Sequence, residues 1–374
     1  MIKNIKIDSC EKDKKMKNIL LIMNYAAPYK GNFIESIERL ELNYENKYNF
    51  FYMFVEEAQN IESKNWIDKM KNKNIIFLKK SNVKNYFLLN NFIKKNNIEI
   101  VHIHFLGIKM NVMLAVLQKK YKFKLIRHLH NHFDEKSKIK KIFGNIFYKK
   151  TYFIGCSCSV TQSLINEMPK LTKNAYAVDN AINFDRLKEI DQTFHFKNNG
   201  MNVLMFGFQF ERKGVDLAIS AIKLLREEGN NIFLNIVISR DLDINIKKIT
   251  DFCGGKIYQW ISILQPREDI GTYYNNCDIF ISPSREEGMC YSIAEAAWFN
   301  CRIVASKIDG QIEYNSINYI FWFNDESVDE LKKQIINAYN CKEKLNYMNV
   351  NRKKLLKNFN LDKWVKEINK IYEV

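Results

Sequence analysis

Short apolar segments alternate with longer, lysine-rich amphipathic segments along the whole chain. The amphipathic segments carry apolar residues at positions i, i+3 and i+4, as in residues 215–225, a pattern typical of helices that cover a sheet. Strands that alternate with helices predict an α/β fold with parallel sheets covered on both faces. The predicted strands are residues 19–23, 49–55, 75–78, 100–105, 124–128, 152–156, 202–206, 233–238, 279–282 and 302–305.

The alternation is interrupted once, at residues 183–200, which are polar and contain no predicted strand. A new strand–helix series starts at Met201, and each half of the chain has the size of one Rossmann-like unit. A chain of 374 residues is also too long for one compact core. We therefore predict a mobile N-terminal tail (1–15), an N-terminal Rossmann-like domain (16–197), a C-terminal Rossmann-like domain (198–355) and a C-terminal helical segment (356–374) that packs back on the first domain.

Charge narrows the classes of partner. The chain has 58 lysines and arginines against 42 acidic residues, a net charge of +16, which favours partners that carry phosphate: nucleic acid, an anionic membrane face or phosphorylated small molecules. Its eight cysteines do not form the spacing of a disulfide framework or of a common zinc site, which favours the reducing cytosol. No apolar segment approaches the roughly 20 residues that a membrane-spanning helix needs. We therefore expect a cytoplasmic protein.

Two acidic residues stand out in the segment 283–297. Glu287 lies in the loop after a predicted strand, and Glu295 lies in the first turns of the helix that follows. The free N–H groups at such a helix start bind phosphate or sugar oxygens, and a carboxylate accepts two hydrogen bonds from a vicinal diol. In the alternative interpretation, Glu295 only stabilises the positive helix end and Glu287 is a solvated loop acid; the spacing alone slightly favours this alternative.

A second segment combines two cations with glycines. Gly207 ends a predicted strand, and Arg212, Lys213 and Gly214 precede an amphipathic helix. Arginine can bind two phosphate oxygens at once, lysine adds a point charge, and a glycine lets the backbone approach a ligand closely. The spacing differs from that of a P-loop. A solvated basic loop is the commoner explanation for an Arg-Lys pair alone.

Small residues also follow the first predicted strand, where Gly31 and Asn32 begin a helical segment. A loop of this kind at the carboxyl end of a strand can bring its backbone close to a ligand, although a plain strand–helix turn has the same appearance. The segment lacks the G-x-G-x-x-G pattern and a suitable acid after the second strand, so it gives little support to a dinucleotide site.

Histidines recur at alternate positions near two strand ends: His102, His104, His128, His130 and His132. Residues two apart share one face of a strand, so metal ligation is conceivable. No set of acidic residues or cysteines completes a metal site, and we expect no metal. A histidine at the carboxyl end of a strand is better interpreted as a hydrogen-bond donor to a ligand, whereas for His102 a satisfied buried histidine is the preferred interpretation.

In order along the chain, these segments resemble the retaining GT-B glycosyltransferases that use nucleotide-sugar donors, the group 1 or family 4 type. The resemblance extends from Ile19 to about Ala305. It rests on the Gly31-Asn32 loop, the 126–131 histidine segment, the 155–159 strand end, the 178–182 junction, the Gly207 to Gly214 loop, and above all the Glu287-x7-Glu295 helix after Asp-Ile-Phe-Ile-Ser-Pro-Ser.

The resemblance implies two Rossmann-like domains that face each other across a cleft, and it implies roles for the residues of that cleft. Arg212 and Lys213 are expected to bind the donor diphosphate and to stabilise the charge on it as the sugar departs, so that no metal is needed. Glu295 is expected to hold the ribose hydroxyls, and His130 to contact the sugar from the other domain. Glu287 is expected to orient the donor sugar together with the backbone of the residues that follow it, Gly288, Met289, Cys290 and Tyr291.

Some positions depart from the pattern of the resembled enzymes. Asn32 stands for a second glycine of the first loop, Cys290 for another glycine, and Phe208 for an arginine. None of these differences removes a principal charge, but they leave the base and the sugar of the donor open.

The function implied is metal-independent, retaining transfer of a sugar from a nucleotide-sugar donor to a hydroxyl acceptor in the synthesis of a bacterial capsule, exopolysaccharide or lipopolysaccharide. The acceptor is expected to be a glycan or a lipid-linked sugar, and the lysine excess fits peripheral association with the inner membrane face. A nucleotide-sugar epimerase of the same architecture is the alternative enzyme. A nucleic-acid-binding protein is a distant alternative, since the sequence contains no nucleic-acid-binding motif and its basic residues do not cluster.

Overall fold

Two parallel β-sheets, each covered by helices, form the structure, a computed structural model. It describes residues 15–27, 30–71, 74–133, 144, 148–324, 326–341 and 347–374. The predicted mobile tail, residues 1–15, lies outside the described residues except for Lys15. Two Rossmann-like α/β domains were predicted, and that prediction is confirmed.

The first sheet has seven parallel strands in the order β3-β2-β1-β4-β5-β6-β7. Its central strands are buried on both faces, which explains their nearly continuous apolar sequences. The strands are β1 (Lys17–Met23), β2 (Tyr48–Phe54), β3 (Ile75–Phe77), β4 (Ile100–His104), β5 (Lys124–Leu129), β6 (Thr151–Gly155) and β7 (Ala175–Ala177). The helices between them are α1 (Gly31–Tyr44), α2 (Ile61–Ile67), α3 (Asn82–Lys95), α4 (Ile108–Tyr121) and α5 (Cys158–Glu167).

The second sheet has six parallel strands in the order β10-β9-β8-β11-β12-β13. The strands are β8 (Met201–Phe206), β9 (Ile232–Val237), β10 (Ile261–Leu264), β11 (Ile279–Ser282), β12 (Arg302–Ser306) and β13 (Ile320–Phe323). The helices are α6 (Val215–Glu227), α7 (Leu242–Phe252), α8 (Gly271–Asn276), α9 (Tyr291–Trp298), α10 (Val328–Asn340), α11 (Met348–Asn358) and α12 (Leu361–Glu373). Short 3-10 segments lie at Glu56–Gln59, Pro169–Asn174, Phe184–Leu187 and Ile312–Tyr314.

The last helix, α12, belongs by its contacts to the first domain. Asn360 directly precedes it, and its side chain accepts a hydrogen bond from the Lys363 backbone N–H and so caps the helix. Trp364 and Tyr372 are buried in the same apolar cluster as strand β1 and helix α1. The chain therefore crosses back over the domain boundary before it ends.

The carboxyl ends of the two sheets meet at the domain interface. A single apolar cluster contains Leu129 and Cys156 from the first domain and Met289 and Cys290 from the second. Loops that follow β5 and β6 touch loops that follow β8 and β11. In a parallel α/β sheet ligands bind at this edge, so a ligand site is expected at the interface.

Three strands were not predicted from the sequence: β7, β10 and β13. β7 has only three residues, and β10 is interrupted by the polar residue Ser262. All three are edge strands with one neighbouring strand each. The other ten strands were predicted to within three residues at each end. No helix among the described residues is long and apolar enough to cross a bilayer.

Candidate active site

A tight turn positions the two predicted cations. Gly214 has φ of 64°, a left-handed conformation, and it directly precedes helix α6. A Cβ at this position would lie 1.9 Å from the carbonyl oxygen of Pro283, so the loop after β8 packs directly on the loop after β11. The Arg285 N–H also donates a 2.8 Å hydrogen bond to the carbonyl of Arg212. The two loops therefore form one rigid unit at the carboxyl edge of the second sheet.

Lys213 and Glu287 form a buried ion pair within this unit. The Lys213 ammonium donates to Glu287 Oε1, and the two residues are only 8% and 5% exposed. The Ser284 hydroxyl donates a 2.8 Å hydrogen bond to the same carboxylate oxygen. The ammonium also lies 4.8 Å from the centre of the Phe208 ring, a cation–π contact. A buried charge is tolerated only when it is paired, and here each side chain supplies the other's partner.

Arg212 connects the same unit to the first domain. One guanidinium nitrogen, Nη2, lies 3.6 Å from Glu287 Oε2 and donates a 3.0 Å hydrogen bond to Asn131 Oδ1 across the interface. Nε donates to the carbonyl of Glu286 at 3.1 Å, and Nη1 donates to Gln209 Oε1 at 2.9 Å. Asn131 was not predicted as a site residue, although it directly follows His130 in the histidine segment.

Gly288 packs directly against the first domain. A Cβ on Gly288 would be 2.1 Å from the carbonyl oxygen of His130 and 3.2 Å from Cys156 Sγ. The carbonyl of Gly288 accepts a 2.8 Å hydrogen bond from the Ser157 hydroxyl of the first domain. Only glycine fits this contact, so the predicted residues Gly288 and His130 do lie together.

The residues after Gly288 enter helix α9. Met289 and Cys290 are buried, and the Cys290 N–H donates to the carbonyl of Gly310 at 3.3 Å. Burial raises the pKa of the Cys290 thiol, so at neutral pH it is a weak hydrogen-bonding group and not a thiolate. Tyr291 is the first residue of the helix.

Glu295 is held in a second network, with partners different from those of Glu287. Its Oε1 is paired with the guanidinium of Arg186 and accepts a 3.0 Å hydrogen bond from Asn32 Nδ2. Its Oε2 accepts a 2.9 Å hydrogen bond from the Tyr274 hydroxyl. Burial, and then the charge of Glu295, raise the pKa of Tyr274 well above its usual range, so this hydroxyl stays protonated and donates.

Asn32 and Arg186 complete this network. Asn32 Oδ1 accepts hydrogen bonds from Arg186 Nε at 3.1 Å and from the Asn183 N–H at 3.0 Å. Gly31, with φ of 60°, is the first residue of helix α1 and brings Asn32 to the interface. Neither Arg186 nor Tyr274 was predicted. Arg186 lies in the polar junction between the domains, and a local pattern does not indicate which carboxylate it reaches.

Gly207 has a packing role in the structure. A Cβ there would lie 2.6 Å from the Ile236 side chain and 3.0 Å from that of Val215, so strand β9 and helix α6 fill the adjacent space. This close packing alone accounts for a glycine at position 207. A contact between Gly207 and the nucleotide-sugar donor stays a prediction.

His130 lies at the end of a row of histidines; its backbone carbonyl touches Gly288 of the second domain, and its ring packs on side chains of the first domain. Its Nε2 lies 3.1 Å from His104 Nδ1, and its ring stacks on Phe105 with centroids 3.9 Å apart. Burial, followed by the nearby His128 and His102, lowers the pKa of His130 well below its usual range. The ring is therefore a neutral imidazole at pH 7, able to donate one hydrogen bond to a ligand.

His102 is paired at one ring nitrogen only. Its Nδ1 lies 2.8 Å from the Tyr372 hydroxyl, whereas its Nε2 is buried without a hydrogen-bond partner among the described residues. His102 is therefore a buried histidine, as expected, but only its Nδ1 has a hydrogen-bond partner among the described residues.

Comparison with known proteins finds a family model that matches the second half of the chain. Residues 188–355 match the model of the family "Glycosyl transferases group 1". An uncharacterized glycosyltransferase of Methanocaldococcus jannaschii, MJ1178, is 24% identical over 306 residues, which are 77% of this chain and 79% of that protein. The capsular polysaccharide biosynthesis glycosyltransferase CapH of Staphylococcus aureus is 22% identical over 256 residues, 63% of this chain and 66% of that protein.

The fold has close counterparts among solved structures. The structure of Anabaena Alr3699/HepE in complex with UDP-glucose superimposes with a TM-score of 0.77 over 95% of this chain and 99% of that chain, at 14% identity. At this identity the likeness establishes the fold alone. The predicted GT-B fold is confirmed.

Proposed function

We propose that this chain, whose residues 188–355 match the group 1 glycosyltransferase family model and whose fold is GT-B, transfers a sugar from a nucleotide-sugar donor to a hydroxyl acceptor with retention of anomeric configuration. The observation that carries the proposal is the convergence of Arg212, Lys213 and Glu287 at the carboxyl edge of the second sheet, opposite His130. HepE, which shares the fold, binds UDP-glucose, and this supports a nucleotide-sugar donor.

The donor diphosphate binds at Arg212 and Lys213. An ammonium has three N–H donors and a guanidinium has five, so both cations can keep their present contacts and still donate to phosphate oxygens. As the bond between the anomeric carbon and the diphosphate breaks, negative charge grows on the phosphate, and preorganised cations stabilise that charge more than they stabilise the intact donor. Transfer therefore needs no metal ion at the diphosphate.

The donor sugar lies between the loop that starts at Glu287 and His130. Glu287 and the backbone from Gly288 to Tyr291 orient its hydroxyl groups from one domain, while the neutral His130 donates a hydrogen bond from the other. The acceptor hydroxyl attacks the anomeric carbon on the face from which the diphosphate leaves, which retains the configuration. Since Gly288 now touches His130, the two domains have to separate before a donor can enter.

Glu295 binds the ribose hydroxyls. A carboxylate has about four lone-pair sites, and Arg186, Asn32 and Tyr274 use three of them. A grip on both ribose hydroxyls requires one of these contacts to be released. Asn32 lies on the opposite domain, so separation of the domains would release it.

The reaction belongs to the synthesis of a surface polysaccharide, and its acceptor is a glycan or a lipid-linked sugar. The similarity to CapH supports this assignment. The enzyme works in the cytoplasm, and its net charge of +16 supports peripheral association with the anionic inner face of the membrane. Salt-sensitive binding to vesicles that contain anionic lipid, with no binding to neutral vesicles, tests this association.

Donor binding is the decisive experiment. The protein is titrated calorimetrically with UDP-, GDP- and dTDP-sugars, and one donor class is expected to bind, with heat that disappears in Lys213→Met. Incubation of that donor with and without a glycan acceptor follows. Acceptor-dependent release of the nucleotide, with an unchanged anomeric configuration in the product, is the expected result. An epimerised sugar formed without acceptor identifies an epimerase instead, and no binding by any of these donors contradicts the proposal.

A further inference from the structure

Three histidines of the first domain lie together on one face of its sheet, beneath the site. His102 and His104 are two residues apart on β4, and His128 on β5 is paired in register with His104. All three are buried, with exposures of 0%, 0% and 2%. One ring nitrogen from each lies within 4.8 Å of the other two. This set is called the histidine cluster below.

The cluster contains four buried ring nitrogens that have no hydrogen-bond partner among the described residues. They are His102 Nε2, His104 Nε2 and both nitrogens of His128. An unpaired buried polar group destabilises the folded state, and native proteins pair nearly all such groups. A neutral imidazole has one lone pair and one N–H, so three of these nitrogens, one from each histidine, can offer a lone pair. An occupant that accepts three lone pairs would satisfy them.

We propose that the histidine cluster binds one zinc ion, through Nε2 of His102, Nε2 of His104 and one ring nitrogen of His128. Neutral imidazole is a preferred ligand of Zn²⁺. With Zn–N bonds of about 2.0–2.1 Å and tetrahedral angles, the nitrogens have to be about 3.3 Å apart. The ligand nitrogens now lie within 4.8 Å of one another, so zinc binding requires the three side chains to move closer together.

The remaining nitrogens of two of these rings have the partners that zinc-bound histidines require. A bound histidine usually donates its second N–H to a neighbouring acceptor, which fixes the ring orientation. His102 Nδ1 is 2.8 Å from the Tyr372 hydroxyl, and His104 Nδ1 is 3.1 Å from His130 Nε2. In His102 and His104, therefore, Nε2 is available as a zinc ligand while Nδ1 has a hydrogen-bond partner, as in known zinc sites.

The surroundings also fit an open fourth position. Trp364 stacks on His128 with centroids 6.2 Å apart, and its indole N–H is buried without an acceptor among the described residues. Three histidines leave the fourth zinc position to water or hydroxide, and its oxygen would be such an acceptor. Trp364 also lines a surface cavity of about 180 Å³, so this side chain separates the cluster from a solvent-filled recess.

The ion would act on the site through His104. With zinc at Nε2, the proton of His104 is on Nδ1 and is donated to His130 Nε2. His130 then carries its own proton on Nδ1, so its tautomer is fixed. The zinc ion is in this way a positioning element that lies apart from the cations of the second domain, and its binding can be measured without any transfer reaction.

Metal content and thermal stability test the proposal. Protein freed of metal with EDTA is mixed with Zn²⁺, gel-filtered and analysed for zinc, and one zinc per chain is expected. The melting temperature is expected to rise by about 5–10 °C at a zinc concentration about 100-fold above Kd.

His128→Phe is the most informative variant. His128 donates and accepts no hydrogen bond among the described residues, so a phenylalanine of similar shape removes a ligand without breaking a polar contact. In EDTA the variant is expected to melt at or above the wild-type temperature, and zinc is expected to have no effect on it. This reversal of the stability order with zinc is not expected if the cluster has only a packing role.

The matched control is His195→Gln, which alters an exposed histidine, and Cys158→Ser controls for binding by an exposed thiol. Both are expected to keep one zinc per chain. If His128→Phe fails to fold, His102→Gln is analysed in its place. A wild-type protein that retains no zinc, or a cluster variant that retains the wild-type amount, overturns the proposal.

Discussion

The carboxyl ends of the two sheets carry different chemistry, although both are buried. The second domain presents full charges, Arg212 and Lys213 against Glu287. The first domain presents neutral imidazoles, of which His130 lies against Gly288 of the second. A buried charge requires a partner of opposite sign, whereas a neutral donor requires only a hydrogen bond. This difference is the reason for proposing that the anionic part of a ligand binds at the second domain, with the sugar between the two domains.

Among the substitutions that test this difference between the domains, removal of the buried Lys213 charge is expected to have the largest effect. Lys213→Met keeps most of the side-chain volume but removes the charge, and kcat/KM for the donor that binds is expected to fall by about 2–4 kcal/mol, or about 30- to 1,000-fold. The physical reason is that the diphosphate loses a cation whose effect grows as the sugar departs.

Lys247→Met is the matched control, because Lys247 forms an exposed ion pair with Asp251 in the same domain. It is expected to leave the kinetics unchanged. If Lys213→Met turns over the donor at the wild-type rate, the Lys213 charge has no part in the reaction. The charges at the carboxyl edge of the second sheet would then serve only to stabilise the fold.

The second prediction concerns the turn at Gly214, which positions Arg212 and Lys213 in the second domain. Gly214→Ala is expected to destabilise the protein by about 2–3 kcal/mol, since alanine in this left-handed conformation is strained and its Cβ would lie 1.9 Å from the Pro283 carbonyl. Gly229→Ala provides the control: φ is 90° there, but nothing lies within 4 Å of the Cβ. Its expected cost is about 1 kcal/mol. Equal losses of unfolding free energy in urea would contradict the close packing of the two loops.

The central strands could be predicted from the sequence because each is buried on both faces and is therefore apolar along its length. Of the four edge strands described, only β3 was predicted. β7 consists of three residues, Ala-Tyr-Ala, and β10 places Ser262 between two isoleucines, so neither forms a distinct apolar segment. The four aromatic and aliphatic residues of β13 do form one, and they could have been recognised.

The charged site was predictable only in part. Arg212 and Lys213 are followed by glycine, and Glu287 follows a strand, so each could be found in its own segment. Their pairing over 74 residues of sequence is a property of the sheet order, in which β11 lies beside β8. Arg186 shows the limit: nothing near it in sequence indicates that it reaches Glu295.

Glu295, like Glu287, is a buried carboxylate paired with a cation, and its substitution is expected to affect both stability and nucleotide binding. Glu295→Gln is expected to destabilise the protein by about 2 kcal/mol, because the buried side chain loses its charged bond with Arg186. The donor nucleotide is also expected to bind more weakly. The double variant Glu295→Gln/Arg186→Gln is expected to recover part of the stability, since no unpaired guanidinium is left, whereas Glu227→Gln on an exposed helix position is expected to have no effect. Wild-type nucleotide affinity in Glu295→Gln, measured by calorimetry, would count against its ribose contact.

The smallest effect is expected on the neutral side, at the contact between the last helix and the histidine row. Tyr372→Phe removes the hydroxyl that lies 2.8 Å from His102 Nδ1 and leaves the buried ring without that partner. A neutral hydrogen bond contributes about 1 kcal/mol, so the loss of unfolding free energy in urea is expected to be about half that of Glu295→Gln. Tyr339→Phe, on an exposed side chain, is the matched control and is expected to leave stability unchanged. A loss in Tyr372→Phe as large as that in Glu295→Gln would mean that the neutral edge depends on its polar contacts as strongly as the charged edge does, and the contrast between the two domains would disappear.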